Sequence, residues 1–216
     1  MATKIGQKNG YAIFNNSNID IGTNILSSLS IVSENNADVV KEIRYNSTDS
    51  KFSNNLNYYI TGTITKSKSY PRKINVYLTD AESSAKYNIA TFNIDVDRST
   101  SSSVQKETFK IAFRPGKSQY TKLVFENVVD NVDTINKQFK LTLTSAMELR
   151  NILSGENVIQ LGIQADPGFV FLINGETMKI GRRGFFESPD NYSITDIAVT
   201  EPNFIMDYKY EVMEGV

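Results

Sequence analysis

Apolar and polar residues alternate with a period of two over much of the chain. Tyr58, Ile60, Gly62 and Ile64 alternate with Tyr59, Thr61, Thr63 and Thr65, and Ile74, Val76 and Leu78 alternate with Asn75, Tyr77 and Thr79. Successive side chains of a strand point to opposite faces, so each run predicts a strand with one buried face. The pattern returns at Phe92, Ile94 and Val96, at Phe109, Ile111 and Phe113, at Leu123 and Phe125, and at Phe139, Leu141 and Leu143. Between these runs lie NNSN (15–18), NSTDSKFSNN (46–55) and DRSTSSS (97–103). Such residues hydrogen-bond their own backbone and accept turn geometries, so these segments read as loops. Strands at roughly ten- to fifteen-residue spacing, with no helical stretch between them, predict an antiparallel β-sandwich of jelly-roll type rather than a parallel sheet. Tyr11–Phe14 and Val39–Tyr45 are expected to complete it.

One stretch has helical spacing. Thr144 and Ser145 precede AMELRNIL, with Met147, Arg150 and Asn151 on one side, Ser145 as N-cap, Glu148 three residues on and Gly155 as the stop. A short helix or turn there separates a sandwich domain (1–147) from a small β-rich domain (148–216). In the second domain VIQLGI leads to a turn at Asp166-Pro167-Gly168, and Asn174-Gly175 stands between FVFLI and ETMKIG, a strong hairpin signal. The closing FIMDYKYEV puts Phe204, Met206, Tyr208, Tyr210 and Val212 on one face and Ile205, Asp207, Lys209 and Glu211 on the other. The expected fold class is all-β throughout.

Composition mainly excludes chemistries. The 216 residues include no His, no Cys and no Trp. That removes Ser-His-Asp triads, Cys nucleophiles, haem and iron–sulfur ligation and the ordinary zinc site. Twenty-three Lys and Arg against 24 Asp and Glu give a net charge of -1 and no overall field for phosphate backbones or anionic membranes. Neither nucleic acid nor membrane is expected as a partner. No stretch approaches the roughly 18 to 20 apolar residues of a membrane span, and the start MATKIGQKNG has no apolar run of secretory length.

General acid–base work would fall to carboxylates. Asp95 and Asp97 share a strand face, Asp80 stands near Glu82, and Asp130 and Asp133 flank Asn131. Each reads first as a solvated loop charge, with a structural calcium as the alternative for the latter two pairs. No catalytic residue, metal site or cofactor is assigned. Tyr59 and Tyr77 fall on the polar faces of their strands, where a ring could stack on a sugar or pack across strands. Arg182 and Arg183, between Gly181 and Gly184, have the form of a tight basic turn. Its glycines would allow positive φ, and its arginines would pair with acidic groups on a neighbouring strand or subunit.

The segment GFVFLINGETMKIGRRGFFESPDNYSITDIAVTEPNFIMDYKYEV (168–212) resembles a small module near the C-termini of tail and baseplate proteins of phages that infect low-GC Gram-positive bacteria. There a strand precedes an I-x-I-G-x-x-G-aromatic-E core, here Met178, Ile180, Gly181, Gly184, Phe185 and Glu187. An Asn/Asp-rich turn, an I-x-x-I strand at Ile194 and Ile197 and the closing FIMDYKYE follow. Met178 and Arg183 depart from the pattern, where an aliphatic residue and a Thr are expected. The resemblance implies a β-rich adaptor in a symmetric virion assembly, made in the host cytoplasm, often following a sandwich like a carbohydrate module.

The expectation is therefore a non-enzymatic virion structural protein of a tailed phage, in tail, baseplate or neck. It would form homo-oligomers and contact other virion proteins, with Arg182, Phe185, Phe186, Tyr208 and Tyr210 at interfaces, since aromatics and Arg dominate interface energetics. The competing expectation is a module that binds a host surface glycan through Tyr59 and Tyr77.

Overall fold

A computed structural model of the chain describes residues 4–14, 19–34, 42–47, 52–67, 73–80, 85–93, 104–117, 120–127, 139–153, 155–190 and 192–213. Among them the regular structure is sixteen strands and one short 3₁₀ turn, with no α-helix. The fold is all-β. The chain divides into two compact units, one comprising Met1–Thr23 and Leu149–Val216, the other Asn24–Glu148.

The Asn24–Glu148 unit is a β-sandwich. Its longer-stranded sheet contains β2 (Gly22–Asn24), β5 (Asn57–Ser67), β8 (Val104–Phe113) and β10 (Phe139–Leu149). The order is β2-β10-β5-β8, with β2 the strand along which the chain enters the unit. The opposing sheet contains β3 (Leu29–Glu34), β4 (Glu42–Ser47), β6 (Lys73–Thr79), β7 (Tyr87–Asn93) and β9 (Lys122–Asn127), in the order β3-β4-β9-β6-β7. Period-two alternation delivers the core directly. Ile60 and Ile64 of β5, Phe109, Ile111 and Phe113 of β8, Ile74, Val76 and Leu78 of β6 and Leu123 and Phe125 of β9 pack in one cluster. Tyr58 is held edge-on to Phe52 (5.1 Å) and stacked on Phe113 (5.6 Å), aromatic geometries that add to area burial. Its hydroxyl accepts a hydrogen bond from Ser53 N at 2.9 Å.

The helix expected after Ser145 does not form. Residues 139–149 continue as β10, Ala146 is fully buried, and Ile25 N donates to Ala146 O at 2.8 Å. The amide of Arg150 donates to Ile21 O at 2.9 Å. Backbone groups engaged in strand pairing are not free for helical bonds, and the preceding β-branched Thr142 and Thr144 favour the pleated conformation.

The other unit has two sheets around its own core. One contains β1 (Lys4–Phe14), β11 (Asn157–Ala165), β14 (Phe185–Glu187) and β16 (Phe204–Met213), in the order β1-β16-β11-β14. The other contains β12 (Val170–Ile173), β13 (Glu176–Lys179) and β15 (Ile197–Val199), in the order β13-β12-β15. The first strand was expected in the sandwich. Instead β1 pairs antiparallel with β16 from Lys4↔Met213 to Phe14↔Phe204, so residues 1–23 group with 149–216 and the expected division at 147/148 misses this N-terminal part. Alternation marks Tyr11–Phe14 as a strand but carries no information on its partner.

Within this unit Asn174 and Gly175 form the two-residue turn between β12 and β13, with φ of 49° and 87° and Ile173 opposite Glu176. Two positive φ values are what an Asn-Gly hairpin turn requires, so the sequence signal holds. The register of β11 on β16 shifts between Val158 and Gln160. This bulge lets Val158, Leu161 and Ile163 all enter the core with Phe169, Phe171, Ile173, Ile197, Val199, Phe204 and Met206.

Candidate functional site

Three turns of the β1/β16-containing unit converge on a shallow groove of about 660 Å³ lined by Gln164, Asp166, Pro167, Arg182, Arg183 and Asn203, with Ala165, Gly184, Phe204 and Ile205. Gly181 and Gly184 bracket the first turn, where Gly184 N donates to Gly181 O at 3.1 Å. Gly184 has φ of 73°, and a Cβ there would lie 3.3 Å from Ala165 O. Both the left-handed backbone and the close approach therefore call for glycine. Gly184 O accepts a bond from Ala165 N at 3.1 Å, anchoring the turn to the end of β11. The second turn closes through Phe169 N donating to Asp166 O at 3.0 Å and Gly168 N donating to Ile180 O at 2.9 Å. The third is the entry to β16, where Asn203 has φ of 78°.

Arg182 and Arg183 sit at the tip of the first turn, exposed, with no ion pair to any described residue. Pairing with a neighbouring strand was one expectation for them, and within the described residues the strands supply no such partner. Asp166, also exposed, belongs to the same lining. Beside the arginines Phe185 is 53% exposed, one of two large hydrophobic residues exposed among the described residues, with Tyr192 the other. Phe185 belongs to β14, the terminal strand of its sheet.

The remaining expected interface residues lie elsewhere. Phe186, on the opposite face of β14 from Phe185, packs edge-on to the buried Phe171 at 5.2 Å and is part of the core wall. Tyr208 and Tyr210 are half-buried against the same core, their rings 5.6 Å apart. Burial, with a smaller contribution from the Glu156 charge, pushes the Tyr208 phenol above its ordinary range. Of the five residues, Arg182 lines the groove, Phe185 is exposed on β14 outside that lining, and Phe186, Tyr208 and Tyr210 pack against the core.

Tyr59 and Tyr77 do not present ring faces to solvent. They are 7% and 3% exposed, and Lys86 Nζ sits 4.4 Å above the Tyr77 ring. The strand faces on which alternation places them are covered at these two positions. Asp95, Asp97, Glu82, Asp130 and Asp133 lie outside the described residues. Among the described residues no three Asp or Glu side chains gather as a metal site would need.

Sequence reasoning missed two asparagine side chains that hold the 193–197 segment. Asn174 Oδ1 accepts from Thr195 N (3.0 Å) and Asp196 N (3.3 Å), while its Nδ2 donates to Ser193 O at 2.8 Å. Asn151 Oδ1 accepts from Leu153 N (3.0 Å) and Ile197 N (3.1 Å), and its Nδ2 donates to Thr195 O at 3.0 Å. An Asn at a turn is ordinary, so the only signal was its position before Gly175.

Comparison with protein-family models, curated proteins and solved structures found no match. The functional reading therefore stands on the groove and on the sequence resemblance.

Proposed function

We propose that this protein is a non-enzymatic structural subunit of a phage virion, in tail, baseplate or neck, acting through subunit contacts. The observation that carries the contact reading is Phe185, half exposed on a terminal strand next to two arginines without ion-pair partners among the described residues. Phe and Arg are both enriched at protein interfaces relative to the rest of the surface. Burying the exposed half of such a ring contributes about 1 kcal/mol, which a free subunit forgoes. The resemblance of residues 168–212 to tail and baseplate modules supplies the virion context, with the jelly-roll-type sandwich as a second structural unit.

The test is light scattering of the full chain over a tenfold concentration range, beside Phe185→Ser. A closed oligomer of fixed mass that Phe185→Ser converts to smaller species is the expected result. A monomer at every concentration would overturn self-assembly through this face. The glycan alternative has no platform at Tyr59 or Tyr77, because a ring buried to this extent has no face for a sugar.

A further inference from the structure

We infer that the Arg182–Arg183 groove binds an acidic, extended segment of a partner protein. This deepens the subunit-contact reading and rests on it.

The argument begins with charge. Two exposed arginines, consecutive on a turn braced by backbone hydrogen bonds and both lining the groove, offer planar donor forks to carboxylates, the partner to which Arg binds most strongly. A polyanion such as nucleic acid is disfavoured, because Asp166 contributes a carboxylate to the same lining and the whole chain carries a net charge of -1. The groove fits a ligand whose carboxylates are local and interrupted. Phe185, two residues after Arg183 and outside the groove lining, leaves an exposed ring that a segment extending beyond the groove would meet and that a free phosphate or a lipid headgroup would not use. An extended shape follows from β14 being the end strand of its sheet, where a partner strand gains main-chain pairing while its alternate side chains reach the arginines and the ring. The ligand chemistry is thus a strand alternating acidic and apolar residues.

The experiment is an NMR titration of the full-length chain with capped octapeptides alternating Leu with Glu or Leu with Lys, and separately with inorganic phosphate. The Leu/Glu peptide is expected to shift the amides of Ala165, Gly184, Phe185 and Ile205. Binding should weaken about tenfold in Arg182→Ala/Arg183→Ala, weaken less in the double Lys variant, which retains charge without the fork, and tighten in Asp166→Asn. Arg150→Ala is the control, since Arg150 pairs with Asp20 at 2.8 Å and lines no part of the groove. Equal shifts with the Leu/Lys peptide, or binding unchanged in the double Ala variant, would overturn the inference. So would shifts with phosphate alone, which would make the site a general anion site. The wild-type oligomer mass is read without peptide, so an assembling chain that ignores the peptide refutes this inference alone, and a monomer that binds it refutes only self-assembly.

Discussion

Gly62 lies directly across the β5–β8 ladder from Phe109, whose ring fills the space that a side chain at position 62 would take. A Cβ there would come within 2.5 Å of Phe109 Cζ and 2.6 Å of Thr142 O. The second neighbour is backbone of β10, so the clash is not relieved by a rotamer change. Gly62→Ala is therefore expected to destabilise the sandwich by about 2–3 kcal/mol, the overpacking range. Gly162→Ala is its control. That Cβ would meet Asp207 Oδ1 at 2.6 Å, the free end of an exposed side chain, and the expected loss is under about 1 kcal/mol. Urea unfolding of both variants checks the contrast, and equal losses would show that Phe109 and β10 give way readily.

Asn174 serves both its own turn and the 193–196 segment, so its two roles separate by substitution. Asn174→Gly keeps the positive φ and removes the side-chain bonds to Ser193, Thr195 and Asp196, with an expected loss of about 1–2 kcal/mol. Asn174→Ala adds the strain of a left-handed non-glycine residue, about 1 kcal/mol more. Amide exchange should quicken at Thr195 and Asp196 in both. An Ala variant no less stable than the Gly variant would place the whole effect in the side-chain bonds.

The strands of the sandwich were legible because both of its sheets bury one face, and Ile60, Ile74, Ile111 and Leu123 mark that face at every second residue. Partner choice was not. Nothing in Tyr11–Phe14 distinguishes β16 from a sandwich strand, since alternation encodes a buried face and leaves the neighbour open. Met147, Arg150 and Asn151 have helical spacing, yet Met147 lies on β10 and the other two follow directly after its end. Tyr59 and Tyr77 show the same limit from the other side, because alternation assigned them to a polar face that is nonetheless covered. At the candidate site, the GRRG turn was readable from its glycines. Its grouping with Asp166 and Asn203 was not, as it depends on β11 and β16 bringing three distant turns together.

Stability should respond to alkaline pH more than to neutral pH. The chain has no His to titrate near neutrality. Burial, opposed by the Ser53 N–H bond and aided by the Glu148 charge, raises the Tyr58 phenol above its ordinary value of 10.0. A folded-state pKa above the unfolded one favours the protonated form, so this contribution is fully present below pH 10.0 and is lost as pH rises through the folded value. Tyr120 and Tyr208 are raised in the same direction, also chiefly by burial. Urea midpoints are expected to be flat from pH 6 to 9 and to fall above 10. Tyr58→Phe should lose about 1 kcal/mol at pH 7 with its hydrogen bond from Ser53 and decline less steeply above pH 10. A decline as steep as wild type's would assign the alkaline loss to other groups.

Phe185 and Phe186 are adjacent in sequence and opposite in role, and substituting each tests whether the exposed ring is kept for a partner. Phe186→Ala removes an edge-on contact with Phe171 at 5.2 Å and part of the core wall, so the subunit itself should lose about 2 kcal/mol. Phe185→Ser removes a ring that is 53% exposed and lies beside Gly162, so subunit stability at low concentration should fall by no more than about 1 kcal/mol. Its effect should appear instead in the concentration dependence of unfolding. For an associating chain the wild-type midpoint rises with protein concentration by mass action, and Phe185→Ser should flatten that rise while Phe186→Ala shifts the curve down with its slope kept. Parallel curves for wild type and Phe185→Ser, with both rising, would locate the association surface away from β14. A large loss in Phe185→Ser at the lowest concentration would instead make this ring part of the subunit's own packing.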